Sequence, residues 1–201
     1  MKTKIIIGLV AVLVILGVVA YAKFGFLLHN ARALPTPSVD DGVLALIDAR
    51  MSSRNFSDRE MDAQTTSDIL WAAFGKNSHG TRTIPTAMNE QDLKVYAIRA
   101  DGAYFYDGGK LVQITDTDLR PLFAQQKFVL DAPLTLLYVG PDAEYSRMHA
   151  GSAYQNVALY CAERGLACVV RGMFDKAGTG VALGLESDEV AIISQTVGWP
   201  K

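Results

Sequence analysis

The chain opens on a short basic stretch, Met1-Lys-Thr-Lys4, followed by apolar and small residues from Ile5 to Ala22 that no charge interrupts. That length falls between the core of a signal peptide and a membrane helix, which needs roughly 20 residues. The run has no polar face, which argues against a buried helix of a soluble domain. Ala20-Tyr21-Ala22 fits the small-x-small pattern of a signal cleavage site, whereas Phe24, Phe26, Leu27 and Leu28 would extend an uncleaved span. Residues 1–28 are therefore expected to be a transmembrane anchor or a cleaved signal, and both place the domain outside the cytoplasm. Pro35 and Pro37 forbid helix and make residues 29–39 an extended tether, so the folded domain is expected over 40–201.

Beyond the tether the periodicity changes repeatedly. Asp40 or Asp41 can cap a helix carrying Val43, Leu44 and Ile47 and ending at Arg50. Ser57-Asp-Arg-Glu60 has the form of a capping box, and Ser67 is placed to cap a helix through Ile69, Leu70 and Trp71 that stops at Gly75. Alternation from Leu93 to Arg99, a turn at Asp101-Gly102 and a return over Ala103–Tyr106 predict a hairpin. Asp107-Gly108-Gly109 turns again into Leu111–Ile114, and Thr117-Asp118 should start a short helix. Leu134–Val139 is a solid apolar strand, Asp142–Arg164 a long helix stopped by Gly165, and Ala167–Val170 and Val190–Val197 are further strands. Strands and helices mix without regular alternation, which predicts an α+β fold rather than a parallel α/β one.

Composition narrows the function classes. Mean hydropathy is +0.16 over 201 residues and net charge is −2; without the first 22 residues, which carry Lys2 and Lys4, the charge is −4, from 17 basic and 21 acidic residues. No general nucleic-acid binder is expected from such a balance. Two cysteines exclude a disulfide scaffold; Cys161 and Cys168 can be buried thiols or, in an exported domain, a disulfide. His29, His79 and His149 share no metal-ligand spacing with each other or with the cysteines, so no metal site is expected.

Two segments carry candidate chemistry. Arg50-Met-Ser-Ser-Arg54 offers two guanidinium groups and two hydroxyls where the first helix should end, a set suited to a phosphate or to a solvated helix terminus. Arg82-Thr-Ile-Pro-Thr-Ala-Met-Asn89-Glu-Gln91 is a polar loop before a strand, whose hydroxyls and amides could hydrogen-bond a heteroaromatic edge or belong to an ordinary loop. Gly178-Thr-Gly180 and Gly184 imitate a dinucleotide fingerprint with one residue too many, and read instead as a helix-associated loop. Asn55-Phe-Ser57 fits a glycosylation sequon but overlaps the arginine motif.

In order along the chain, five pieces resemble the nitroreductase family of FMN-dependent oxidoreductases, closest to its thiazoline/oxazoline-dehydrogenase-like branch. They are Arg50-Met-Ser-Ser-Arg-Asn-Phe56, Ile69-Leu-Trp-Ala-Ala-Phe-Gly75, Arg82-Thr-Ile-Pro-Thr-Ala87, Asn89-x-Gln91, and Gly151-Ser-Ala-Tyr-Gln-Asn156 running on to Gly165-Leu166. The resemblance implies a central, mostly antiparallel sheet flanked by helices, and FMN bound at the interface of a homodimer. On this chain Arg50, Ser52 and Arg54 would hold the phosphate, with Met51 at a place often basic in the family. Pro85, Thr86, Ala87 and Asn89 would approach the ribityl chain and isoalloxazine. Gln155 and Asn156 would lie nearby, Gly165 and Leu166 would pack close by, and Lys201 would stand where the family has a terminal basic ligand. His79 would be a candidate proton donor; no other catalytic residue is assigned.

The function implied is ping-pong transfer of hydride or electrons through flavin. Cytoplasmic relatives draw on nicotinamides, so an exported domain would need another donor, such as a quinol or a redox protein. The alternatives are a flavin-free, non-catalytic subunit of a membrane complex, and peptide azoline oxidation by analogy with the branch.

Overall fold

The computed structural model describes residues 13–21 and 34–201. The chain divides into two units, Met1–Ser38 and Val39–Lys201. In the first unit, residues 13–21 are helical (α1), with Leu13, Val14, Ile15 and Leu16 all exposed. Among the described residues no helix is long and apolar enough to cross a membrane. Residues 1–12 and 22–33, on which most of the expected anchor or signal and much of the tether fall, lie outside the described residues.

The second unit contains six strands and five helices, with the expected mixed order. They run α2 (Gly42–Ala49), α3 (Ala63–Phe74), β1 (Lys94–Arg99), β2 (Gly102–Tyr106), β3 (Leu111–Thr115), α4 (Arg120–Phe123), β4 (Leu134–Pro141), α5 (Glu144–Arg164), β5 (Ala167–Arg171), α6 (Lys176–Leu183) and β6 (Glu189–Gly198). The strands form one sheet in the order β3-β2-β1-β4-β6-β5, and every pairing is antiparallel. The β1–β2 hairpin closes at Gly102, whose φ of +136° and Cβ position, 2.3 Å from the Thr115 carbonyl oxygen, admit no side chain.

Period-2 alternation sorts the central strands into two cores. Val95, Ala97, Leu134, Leu136 and Tyr138 join Ile69, Leu70, Ala153 and Val157 of α3 and α5. Tyr96, Ile98, Leu137 and Val139 face the other way, against Leu119, Phe123, Val129, Phe174 and Leu183. The sheet is thus covered on both faces, and that is why β4 reads as a solid apolar run.

Three local expectations are corrected. The Ser57–Glu60 capping box does not form, because the Ser57 N–H donates to the Trp199 carbonyl at 2.8 Å and its hydroxyl to the same oxygen at 3.3 Å. Helix α3 is capped instead by Asp62, which accepts from the Thr65 N–H and hydroxyl, each at 2.8 Å, and this leaves Ser67 inside the helix. Gly178 and Gly180 lie within α6 rather than in a loop; Asp175 accepts from the Gly178 N–H at 2.9 Å to cap it.

Candidate functional site

The arginine motif leaves α2 in extended conformation and lies along β5, the sheet edge, where the Ser53 N–H donates to the Cys168 carbonyl at 2.9 Å. Phe56 inserts into the core, bridges antiparallel to Pro200 and stacks on Phe128 with ring centroids 5.9 Å apart. The last residues of the chain therefore lie beside the motif, and the Lys201 N–H donates to the Asn55 carbonyl at 3.4 Å. The Lys201 ammonium, however, pairs with Asp131 at 3.1 Å.

Arg50 is half-buried, while Ser52 and Arg54 are exposed. Among the described residues neither Arg50 nor Arg54 has a carboxylate within ion-pair distance. Arg50 lies within electrostatic reach of the Cys168 sulfur, and Arg54 within reach of Arg171 on the same edge strand. Arg171 is buried, donating to the Gln126 side-chain carbonyl at 2.9 Å, the Phe123 carbonyl at 2.7 Å and the Met173 carbonyl at 2.8 Å. Its Nη1 is buried with no hydrogen-bond partner among the described residues. Burial, and secondarily the Arg54 charge, hold this guanidinium below its ordinary pKa. Arg54 and Arg171 are thus neighbouring cations without a compensating acid among the described residues, and Arg50 lies further along the same edge. Such a set suits a doubly charged anion.

Met51 is 70% exposed. With Ala49, Ser53, Cys161, Gly165 and Leu166 it lines a cavity of about 250 Å³, which brings the Gly165-Leu166 turn to the motif. Cys161 and Cys168 are free and buried, with their thiols hydrogen-bonded. That contact, followed by burial, pushes the Cys161 thiol well above its ordinary value.

The Arg82–Gln91 loop is held from two sides. Arg82 donates from Nε to Gln91 Oε1 at 3.0 Å and from Nη1 to the Phe74 carbonyl at 3.0 Å, with its guanidinium 4.2 Å from the Phe74 ring centre. Gln91 Nε2 in turn donates to Asn89 Oδ1 at 2.8 Å. From the other side, the Ala87 N–H donates to His149 Nε2 on α5 at 2.8 Å, and His149 Nδ1 lies 2.6 Å from Asp92 Oδ1. Ser146, one helical turn before His149, donates to Asp92 Oδ2 at 2.5 Å. Between these anchors Met88, Asn89 and Gln91 adopt φ values of +49°, +59° and +50°. Each left-handed non-glycine residue costs about 1 kcal/mol or more, so the loop needs its anchors. Pro85, Met88 and Asn89 are exposed, whereas Thr86 and Ala87 are half-buried.

On α5, Gln155 is exposed, while Asn156 Nδ2 donates to the Ala72 carbonyl at 3.2 Å and the Thr83 carbonyl at 3.1 Å, tying α5 to α3 and to the base of the loop. His79 is exposed in a turn, its N–H donating to Asn77 Oδ1 at 2.9 Å. The predicted residues therefore form two groups. Met51 meets Gly165 and Leu166 at the C-terminal end of α5, while Arg50, Ser52 and Arg54 follow the β5 edge from Cys168 toward Arg171, with Lys201 beside Asn55. Pro85, Thr86, Ala87 and Asn89 gather toward the N-terminal end of α5, where His149 holds Ala87.

Sequence reasoning missed Asp92, Ser146, His149 and Arg171. The Ser146/His149 spacing of three on a helix was a readable signal of a shared face. Nothing in the pattern joins either residue to Asp92, and Arg171 ends a strand like any solvated cation.

The Nitroreductase family model matches residues 47–199. No curated protein sequence matches the chain. Among solved structures, a protein assigned as a nitroreductase from Ralstonia eutropha JMP134 is 32% identical, over 84% of this chain and 88% of its own, with a TM-score of 0.73. The E. coli microcin synthetase McbBCD complex, solved with truncated pro-MccB17 bound, contains a chain 17% identical over 90% of this one and 81% of its own, at a TM-score of 0.65. An oxidoreductase containing FMN is 19% identical over 86% of this chain and 81% of its own, at a TM-score of 0.62. The last two share the fold. The family match covers most of the folded unit and agrees with the Ralstonia structure, and this chain belongs to the nitroreductase family.

Proposed function

We propose that this protein is an FMN-dependent oxidoreductase acting as a homodimer. The observation that carries the reading is the β5 edge, where Arg50, Arg54 and Arg171 lack any carboxylate partner among the described residues and Ser52 adds an exposed hydroxyl. That donor set fits a flavin phosphate. Arg50, Ser52 and Arg54 would hold it, while Lys201 contributes backbone and keeps its ammonium on Asp131. The Pro85–Asn89 segment would present its backbone and the Asn89 amide to the ring system. When bound, FMN supplies two-electron chemistry that no side chain here provides. Gln155 stands exposed on the helix between the two groups.

Separation along α5 supports the dimer. His149, which holds the loop, and Gly165, beside the arginine motif, are sixteen residues apart on one helix axis, about 24 Å at 1.5 Å per residue. A ribityl phosphate arm is shorter than that span, which favours a site completed by one chain's arginines and another's loop.

The apolar Ile5–Ala22 run supports tethering or export, with the domain outside the cytoplasm. The electron donor is then a quinol or a redox protein rather than a nicotinamide. Purified full-length protein should carry yellow flavin absorbance that Arg54→Ala removes, and anaerobic mixing should give rapid reduction by a quinol and not by NADH. Turnover-competent reduction by NADH would overturn the donor assignment. A second reading, a flavin-free subunit, is favoured by the uncharged Met51 and the pairing of Lys201 with Asp131. A colourless protein that takes up no added FMN would establish it.

A further inference from the structure

His149 is 3% exposed, and every polar atom of its ring is engaged. The Ala87 N–H can only donate, so Nε2 must be the acceptor and carry no proton. The ring proton is then on Nδ1, where it donates to Asp92. Asp92 accepts on both oxygens, from His149 at 2.6 Å and from the Ser146 hydroxyl at 2.5 Å, and Ser146 is itself fully buried. One neutral tautomer satisfies the whole chain of donors: Ser146 and His149 to Asp92, and Ala87 to His149. The arrangement of a carboxylate behind an imidazole looks like a catalytic dyad. Its Nε2 lone pair, however, is spent on a backbone amide inside the protein and can take no substrate proton.

What that lone pair does is mechanical. Ala87 opens the left-handed stretch and Asp92 closes it, and both are fastened to the same helix through one imidazole. Removing the acceptor frees the entry to the loop while leaving its exit tied. We propose that His149 is a positioning residue, whose neutral imidazole sets the conformation of residues 86–91 and, through it, the hold of that loop on FMN. The second half rests on the flavin reading above.

Two isosteric variants separate positioning from space-filling. In His149→Gln the side-chain oxygen falls near the place of Nε2 and still accepts from Ala87. In His149→Asn the amide falls near the place of Nδ1, keeping the bond to Asp92 and losing that to Ala87. With the full-length protein stripped of flavin, FMN titration and amide hydrogen exchange over residues 86–91 are measured for all three. His149→Asn is expected to bind FMN about tenfold more weakly, the loss of one buried hydrogen bond, and to exchange its loop amides about tenfold faster. His149→Gln should stay within about twofold of the wild type in both. Equal behaviour of the two variants, whether both intact or both impaired, would overturn the positioning role. A wild-type protein that binds no FMN would overturn the flavin reading and the second half of the inference, while loop exchange still decides the first.

Discussion

Inside the sheet, the Tyr138 hydroxyl donates to Gln195 Oε1 at 2.7 Å, and Gln195 Nε2 donates to the Tyr154 carbonyl at 3.1 Å. Tyr138 and Gln195 are fully buried, and burial pushes the phenol well above its ordinary pKa, so it stays a donor. Tyr138→Phe keeps the ring and strands the glutamine oxygen without water. We expect a loss of about 2 kcal/mol, a fall in Tm of roughly 4–8 °C in thermal unfolding. An unchanged Tm would show that Gln195 finds another donor. Asp62 behaves differently because it lies at the surface. The Thr65 N–H, then the Thr65 hydroxyl, hold its carboxyl below the ordinary value. A depressed carboxyl contributes stability above the unfolded pKa and loses it as pH falls through the folded one. Acid unfolding below roughly pH 4 should therefore include a component from Asp62 that is absent in Asp62→Asn, where the cap cannot titrate. Superimposable acid limbs for the two proteins would contradict this. Of these residues, Tyr138 was legible only as one member of an apolar run. Its bond to Gln195 spans 57 positions and leaves no local trace.

At the level of elements, α5 was the most legible, since twenty-one residues of helical pattern end in a glycine whose physics is local. Gly165 has φ +65°, caps α5 by donating to the Cys161 carbonyl, and has open space where a Cβ would stand. Strain alone therefore decides the effect of Gly165→Ala, a loss of about 1 kcal/mol, with Gly165→Asn costing less; denaturant midpoints measure both. An alanine variant as stable as the wild type would mean that the turn can relax. Strands β1, β2 and β4 were equally readable, because alternation and a solid apolar run report the number of faces covered. The Ser57–Glu60 box shows where such reading ends. Its spacing is right for a cap, but Ser57 lies against the returning chain and spends its N–H on Trp199, 142 residues away. Tertiary pairing outcompeted a local signal. The candidate site divides the same way. The arginine motif and the loop were visible as segments, whereas the Asp92–Ser146–His149 anchor arises only when α5 packs against the residues that lead into β1.

For the whole molecule, the separation of the arginine motif from the Pro85–Asn89 loop along α5 has a consequence that no single-chain property can imitate. If one FMN needs Arg54 from one protomer and Asn89 from the other, then Arg54→Ala and Asn89→Ala each empty both sites of a homodimer. Mixed and re-associated, the two variants form hybrid dimers in which one site has lost both residues and the other keeps both. Random pairing makes half the dimers hybrid, so about a quarter of the wild-type flavin sites should return. Flavin absorbance per protein after unfolding, mixing and refolding reads this directly, and sedimentation checks that dimers have formed. Within a single-chain site the same mixture restores nothing, since every chain still lacks one ligand. Recovery near a quarter therefore requires a site built by two chains, and dimers with no recovery would place both groups around the same chain's flavin and overturn the distance argument.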